Sequence, residues 1–385
     1  MSNNQVSYCF CKEYDFESAK NAIEKIFSSF PDLEEKLRSD SCVNVLIKPN
    51  LLAARHPDKA VTTHPVVLKA LIRHIQKFNC KITIADSPAG AYSDKSLKEL
   101  YQECQIDSVA EETGCNLNFD TSSKMVNFPD GKVLKKCPII SPATKADLII
   151  NVAKLKTHTL TRLTCAGKNL FGLMPGILKY RQHLAMPDIK IFSQMLLDIN
   201  QYFEGKVFNL VDGIIGMEGE GPSGGDPKFA GALLGGWNSA CVDILACHIM
   251  GMPVNTVPTL VNYRGLEDIK LVNFDKIRTY NFNLPPVRFR SIPDNIPLWI
   301  QNILTELFIS KPLINKKICK KCNICLDSCP AKIITMKKDG AHIQNYKNCI
   351  KCYCCQEACP HKSIYLSEPF VEKTYKIFRK LNKKR

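Results

Sequence analysis

The stretch "CIKCYCCQEACP", residues 349–360, carries five cysteines, and four of them repeat a spacing already present upstream. Cys319, Cys322, Cys325 and Cys329 run as C-x2-C-x2-C-x3-C and are followed by Pro330; Cys349, Cys352, Cys355 and Cys359 run the same way and are followed by Pro360. Cysteine thiolates are soft ligands suited to iron–sulfur clusters and to zinc. Three of them on one tight loop reach three irons of a [4Fe–4S] cubane, and the fourth, turned away at the proline, serves a second cubane. The spacing therefore predicts crossed ligation by all eight cysteines. Cys319, Cys322, Cys325 and Cys359 would hold one cluster, and Cys349, Cys352, Cys355 and Cys329 the other. Cys354 is out of register and is left unligated. A pair of zinc knuckles is the alternative, but zinc sites seldom repeat a four-cysteine run closed each time by proline. Two clusters bound in this way must lie close together, which suits one-electron relay; clusters that only brace a fold are the second possibility.

"AKIITM" and "HKSIYL", one after each run, read as short strands. On these motifs residues 315–368 resemble a two-cluster bacterial ferredoxin domain. The resemblance implies a small α+β iron–sulfur domain.

Composition sets the frame for that domain. Nine of the nineteen cysteines fall between Cys319 and Cys359, and the other ten are scattered over residues 9–247. Scattered cysteines are usually small buried hydrophobes. The size of the chain and a start, "MSNNQVSYCFCKEYDF", without a basic flank or an apolar core argue against a secreted disulfide scaffold. No apolar run is long enough to span a bilayer. A cytoplasmic protein is expected. From Lys311 to Arg385 there are 18 Lys/Arg and 5 Asp/Glu, +13 of the chain's net +15, so the basic character belongs to the cysteine-rich end. The last fourteen residues, "EKTYKIFRKLNKKR", read as a basic helix for docking an acidic redox partner. Peripheral contact with an anionic membrane is a weaker reading, and no nucleic-acid recognition module is present.

The elements that precede the cysteines alternate. Apolar runs at "VNVLIKPN" (43–50), "CKITIADSP" (80–88), "ADLIINVAKLKTH" (146–158) and "KVFNLVDGIIG" (206–216) are separated by helical-period stretches such as 65–78 and 193–203. Near-continuous apolar strands between amphipathic helices predict an α/β fold, a mostly parallel sheet flanked by helices. Each run ends in polar residues: Lys48 and Asn50; Asp86 and Ser87; Lys154, Lys156 and His158; Asp212, with Glu218 beyond. Ligands of open α/β sheets bind outside the carboxyl ends of the strands. Asp86, Lys154, Lys156 and His158 are therefore the candidate catalytic residues.

The third run continues into a stretch with Gly167, Gly172 and Gly176, where Lys168 and Arg162 add positive charge and suggest a small anionic substrate. A solvated basic loop is the plain alternative. His64, His158 and His183 suit a structural hydrogen bond as well as catalysis, and Cys165 reads first as packing. "GEGPSG" (219–224) fits G-x-G-x-x-G, but Pro222 and "GDPKFAGALLGG" read as loop and turn where a helix should open, so neither nicotinamide nor flavin is supported.

"VLIKPNLL", "ITIADSPAG", "NVAKLKTHTLTRLTCAGKNLFGLMPG" and "VDGIIGMEGEGPSGG", in that order, resemble the family of domain of unknown function 362, whose members often carry a ferredoxin-type module. The resemblance implies that the strand-end residues belong to recurring motifs. The expected organisation is an α/β domain over 1–280, a proline-rich linker and packing helix over 281–314, the ferredoxin domain over 315–368 and a basic tail over 369–385. The function expected is electron transfer through two [4Fe–4S] clusters, to or from an α/β domain that binds an anion. The alternatives are an oxidoreductase with its active site at the strand ends, or a binding protein with structural clusters.

Overall fold

The computed structural model describes residues 4–176, 178–186, 188–285, 297 and 309–367. The helix expected over 298–309, apart from Ile309, and the basic tail lie outside the described residues. The chain divides into two compact units, one of residues 1–179 and 193–285, the other of residues 180–192 and 286–385.

In the first unit the strands are β1 (Gln5–Phe10), β2 (Val43–Pro49), β3 (Cys80–Ile84), β4 (Asn116–Leu117), β5 (Ser123–Asn127), β6 (Lys136–Ile140), β7 (Leu148–His158), β8 (Arg162–Thr164), β9 (Val207–Glu218), β10 (Asp226–Gly236) and β11 (Lys270–Leu271). Nine of them form one sheet in the order β11-β1-β10-β9-β7-β2-β3-β4, with β8 folded back on β7; β5 and β6 pair separately. The centre, β9-β7-β2-β3-β4, is parallel throughout. The four apolar runs seen in the sequence are β2, β3, β7 and β9; β7 is buried along its whole length and β9 nearly so, as apolar strands covered on both faces are, while Asn44 on β2 and Lys81 on β3 are exposed.

Side chains alternate across the sheet with a period of two. Leu148, Ile150 and Val152 of β7 pack with helices Phe16–Ser28 and Pro65–Ile75, while Ala153 and Leu155 pack with helix Ser239–Met250 on the other face. Both of the first two helices begin on a side-chain cap. Asp15 accepts from the Ser18 amide at 2.9 Å, and the His64 side chain accepts from the Val66 amide at 3.3 Å, with Pro65 at the first helical position. These caps satisfy amides that the helix itself leaves unbonded.

The stretch expected as loop and turn after "GEGPSG" is strand β10, antiparallel to β9 and β1. Its small residues serve packing rather than turning. A Cβ on Gly235 would lie 2.3 Å from Ile26 Cγ2, so the strand depends on glycine for the close approach of helix Phe16–Ser28. Gly231, at φ +58°, carries an irregularity in the ladder between Phe229 and Ala232. The glycine-rich segment is thus a connection between antiparallel strands and opens no helix. The opening stretch, which the sequence does not mark as a strand, forms β1.

The second unit contains β12 (Pro312–Ile314), β13 (Ile334–Lys337), β14 (Gly340–Ile343) and β15 (Ile364–Leu366), with β12 antiparallel to β15 and β13 to β14. β13 and β15 are the short strands expected after the two cysteine runs. Cys325, Cys355, Ile333, Ile334, Ala341 and Ile364 form its buried core.

Phe208 anchors the larger core. Fully buried on β9, it meets the rings of Phe27 at 5.9 Å, Phe30 at 5.0 Å and Trp237 at 5.3 Å. Phe208→Ala is expected to destabilise the first unit by about 3–5 kcal/mol. Phe229→Ala, at a ring 39% exposed, should cost well under half as much, and urea midpoints of the two variants measure the contrast.

Candidate functional site

The strand register builds the site. β2 and β3 pair Ile47 with Ile84, and β7 and β9 pair Lys154 with Asp212. On β7 the residues that share a face change from Leu148, Ile150 and Val152 to Lys154, Lys156 and His158, because a period of two continues while the composition turns polar. The core thus ends and a polar pocket begins on the same face of one strand. All of these polar residues are buried.

Two buried ion pairs result. Lys48 Nζ lies 2.7 Å from Asp86 Oδ1 and also donates to Pro49 O at 2.8 Å and Asn169 Oδ1 at 3.3 Å. Asp86 accepts in addition from the Leu51 amide at 2.7 Å and the Ser87 amide at 2.9 Å. Lys154 Nζ donates to Asp212 Oδ2 at 2.9 Å and to the Tyr14 hydroxyl at 2.6 Å, and Tyr14 donates to Asp212 Oδ1 at 2.9 Å. The Tyr14 ring stacks on His64 at 3.6 Å. Burial pulls both lysines below their ordinary range, and each carboxylate opposes that shift. Burial also lowers His64 to about 4, so it is neutral at physiological pH.

The structure divides the four predicted catalytic residues. Asp86 and Lys156 line one cavity of about 50 Å³ together with Lys48, Asn50, Ser87, Lys168, Asn169 and Lys179. Lys156 Nζ donates to Asn50 Oδ1 and to Val61 O, both at 2.7 Å. Lys154 belongs to the neighbouring cluster with Asp212, Tyr14 and His64. His158 serves the turn into β8, its Nδ1 accepting from the Leu160 amide at 3.0 Å and the Thr161 amide at 3.3 Å. Cys165 is buried beside Asp243, and both influences push its thiol far above the usual range, as for a packed thiol. Gly167 and Gly172 permit close approach. A Cβ on Gly172 would fall 2.4 Å from Asp86 Oδ1 and 2.7 Å from Lys48 Nζ. An asparagine ladder supports the floor: Asn169 donates to Asn151 at 2.8 Å and Asn151 to Asn209 at 2.8 Å.

Lys179 and Tyr14 carry no signal in the sequence that marks them as site residues. Lys179 donates to Ser87 O at 2.6 Å, Ser87 Oγ at 3.1 Å and Met174 O at 3.0 Å.

The cysteines form a second candidate site. Burial, with smaller contributions from Cys359, Cys322 and Cys319, raises Cys325 to about 11, so these four thiols lie near one another. Cys349 is raised by burial and then by Cys352 and Cys329. The backbone repeats as the spacing does: Lys321, Asn323 and Lys332 in the first loop, and Lys351, Tyr353 and Lys362 in the second, all have positive φ. Left-handed residues set among right-handed ones curl the chain into a concavity lined by amides, which suits an anionic cluster. Cys354, out of register with the repeat, is buried with its thiol against Cys352, 4.0 Å from Cys352 O.

Comparison with known proteins bears on both sites. The family model described as a domain of unknown function (DUF362) matches residues 45–248, and the 4Fe-4S dicluster domain model matches residues 318–373. This chain belongs to the DUF362 family. The DUF362 segment contains both buried ion pairs and most of the cavity wall, while the 4Fe–4S ferredoxin-like domain contains all eight cysteines of the two runs. A thylakoid-associated protein of Synechocystis is 31% identical over 222 residues, 56% of this chain, which spans 65% of that relative's length. The lactate racemase apoprotein of Thermoanaerobacterium thermosaccharolyticum overlaps 64% of this chain and 57% of its own, at 14% identity and a TM-score of 0.38. A Thermotoga maritima protein overlaps 57% of this chain and 55% of its own, at 14% identity and a TM-score of 0.34. Among the described residues no helix is long and apolar enough to cross a membrane.

Two outcomes are expected at the strand ends. Asp212→Asn removes the counter-charge of a buried lysine and should cost about 3–5 kcal/mol in chemical denaturation. Lys179 sits at about 7 because burial lowers it from 10.5. Between these values the unfolded chain holds a proton that the folded chain has released, so stability rises with pH across that window. Below about pH 7 both states are protonated and the cost of burying the charge is fully present. Lys179→Met should flatten the rise, as measured by denaturation near neutral pH and near pH 9.

Proposed function

We propose that this protein transfers electrons through two [4Fe–4S] clusters, to or from an anionic substrate bound at the strand ends of its DUF362 unit. The observation that carries the reading is the grouping of thiols across the repeat, with Cys359 beside Cys325 and Cys329 beside Cys349. That grouping supports the crossed sets, Cys319, Cys322, Cys325 and Cys359 for one cluster and Cys349, Cys352, Cys355 and Cys329 for the other. A [4Fe–4S] cubane supplies one-electron exchange at a potential tuned by burial and by hydrogen bonds to sulfur.

The chain's own residues make the two sites unequal. Cys322 is exposed and its neighbours Lys320 and Lys321 are exposed with it, whereas Cys352 and Cys355 are buried among Ile334, Ile364 and Tyr353. The cluster of Cys322 is therefore the port for an outside partner. The surrounding lysines favour an acidic one, since complementary charge speeds encounter. Cys352 and Cys355 would hold the other cluster away from water. Within the DUF362 unit, Lys48, Lys156, Lys168 and Lys179 around the cavity provide the positive field that an anionic substrate requires. The chain is then an iron–sulfur oxidoreductase working in the cytoplasm.

Anoxic reductive titration followed by absorbance and electron paramagnetic resonance tests the relay. Uptake of two electrons per chain, with signals from two interacting clusters, is expected; clusters that are present and resist reduction would sink the proposal. Iron content tests the crossed ligands. Cys322→Ser and Cys359→Ser, singly and combined, should each lose the same half of the iron, whereas Cys322→Ser with Cys329→Ser should lose nearly all of it.

A further inference from the structure

The two cysteine runs close on matching backbone and differ in what the matching side chains offer. "CPAKII" (329–334) ends the first and "CPHKSI" (359–364) the second, and Lys332 and Lys362 share one left-handed conformation, at φ +50° and +51°. The next residue is Ile333 in the first copy and Ser363 in the second, both buried, at 8% and 4% exposed. Ile333 offers Cys329 only hydrocarbon. Ser363 offers a hydroxyl, and its Oγ lies 3.1 Å from Cys359 Sγ. A cysteine bound to metal is a thiolate, which has no proton to give. With Cys359 ligated, Ser363 is therefore the donor.

The effect of that bond follows from charge. Reduction adds negative charge to a group that its thiolates already make anionic. A hydrogen bond to sulfur stabilises the more negative state more, and so raises the reduction potential. Exposure to water acts in the same direction. Cys322, in the same ligand set as Cys359, is exposed together with Lys320 and Lys321. The other set has different surroundings. Cys329, Cys349, Cys352 and Cys355 line one cavity of about 20 Å³ with Ile333 and Ile334. Tyr353 brings a hydroxyl to that wall, but its proton is donated to Ser310 O at 3.1 Å.

We infer that Ser363 is a positioning residue that acts through Cys359 to give the cluster of Cys319, Cys322, Cys325 and Cys359 the higher potential of the two. The inference rests on the reading of the chain as a two-cluster relay with crossed ligands, and adds a direction to it. One electron passed between the clusters oxidises the buried one and reduces the exposed one by the same single unit, and no proton moves. Downhill flow within the domain runs toward the exposed Cys322, and electrons come to rest there.

Anoxic titration of the intact chain with dithionite, followed by electron paramagnetic resonance, gives both potentials in the parent, Ser363→Thr and Ser363→Val. Threonine keeps the hydroxyl and valine has nearly the same shape without it, so their contrast separates the hydrogen bond from packing. Ser363→Val should shift the reduction equilibrium of the higher-potential cluster about tenfold toward the oxidised form, which is about 59 mV for one electron, and leave the lower potential in place. Ser363→Thr should match the parent. The reciprocal Ile333→Ser should raise the lower potential and narrow the gap, which reads the same bond even where Ser363→Val fails to hold iron. Potentials unmoved by both Ser363→Val and Ile333→Ser, a fall of the lower potential in Ser363→Val, or an equal fall in Ser363→Thr would each overturn the inference. Failure of the relay reading looks different: the parent's own clusters resist reduction, and the inference then falls with it.

Discussion

Burying a lysine is expensive unless its charge is met, and that constraint organises the first unit. Lys48 and Lys154 are completely buried at the ends of adjacent parts of one sheet. Each is tolerable because a neighbouring strand delivers an aspartate at hydrogen-bonding distance, Asp86 in one case and Asp212 in the other. Replacing such pairs by hydrocarbon is often neutral or stabilising in proteins generally. Their presence here is therefore better explained by a site that must be charged than by stability.

The fold and the site share one periodicity. The alternation of β7 that buries Leu148, Ile150 and Val152 against two helices is what turns Lys154 and Lys156 to the same face further on. Core and site are consecutive lengths of the same strand face, so a change of register by one residue would put lysines against helix Ser239–Met250 and Ala153 and Leu155 at the polar site. The unbroken parallel centre of the sheet makes such a slip costly. The antiparallel flank, β10 and β1, completes the sheet where glycine allows a helix to approach closely.

The ferredoxin-like unit follows a different logic. Its strands are three or four residues long and its apolar core is small, too little to hold a fold by burial alone. Thiolate ligation supplies the missing cross-links. Non-glycine residues at positive φ in matching positions of both loops show that the backbone itself repeats, and each such residue costs energy that the bound cluster must offset.

The sequence by itself determined the parallel sheet, the repeated cysteine runs of the 4Fe–4S domain and the general location of the polar site. Those features rest on local rules: apolar runs, fixed cysteine spacing, and polar residues at the end of each strand. It also marked Asp86 and Lys156, which do share a cavity. It could not show that β10 is a strand, because glycines needed for close packing look the same as glycines needed for turning. Nor could it separate Lys154 from Lys156 or give His158 its place in a turn. Lys179 and Tyr14 were invisible. Lysines two residues apart on a strand share a face but meet different neighbours, and those neighbours come from β2, β3 and β9, far away in the chain. Only tertiary structure decides which charge meets which, because ion pairing in a buried site depends on strand register and helix docking, and neither is a property of local sequence.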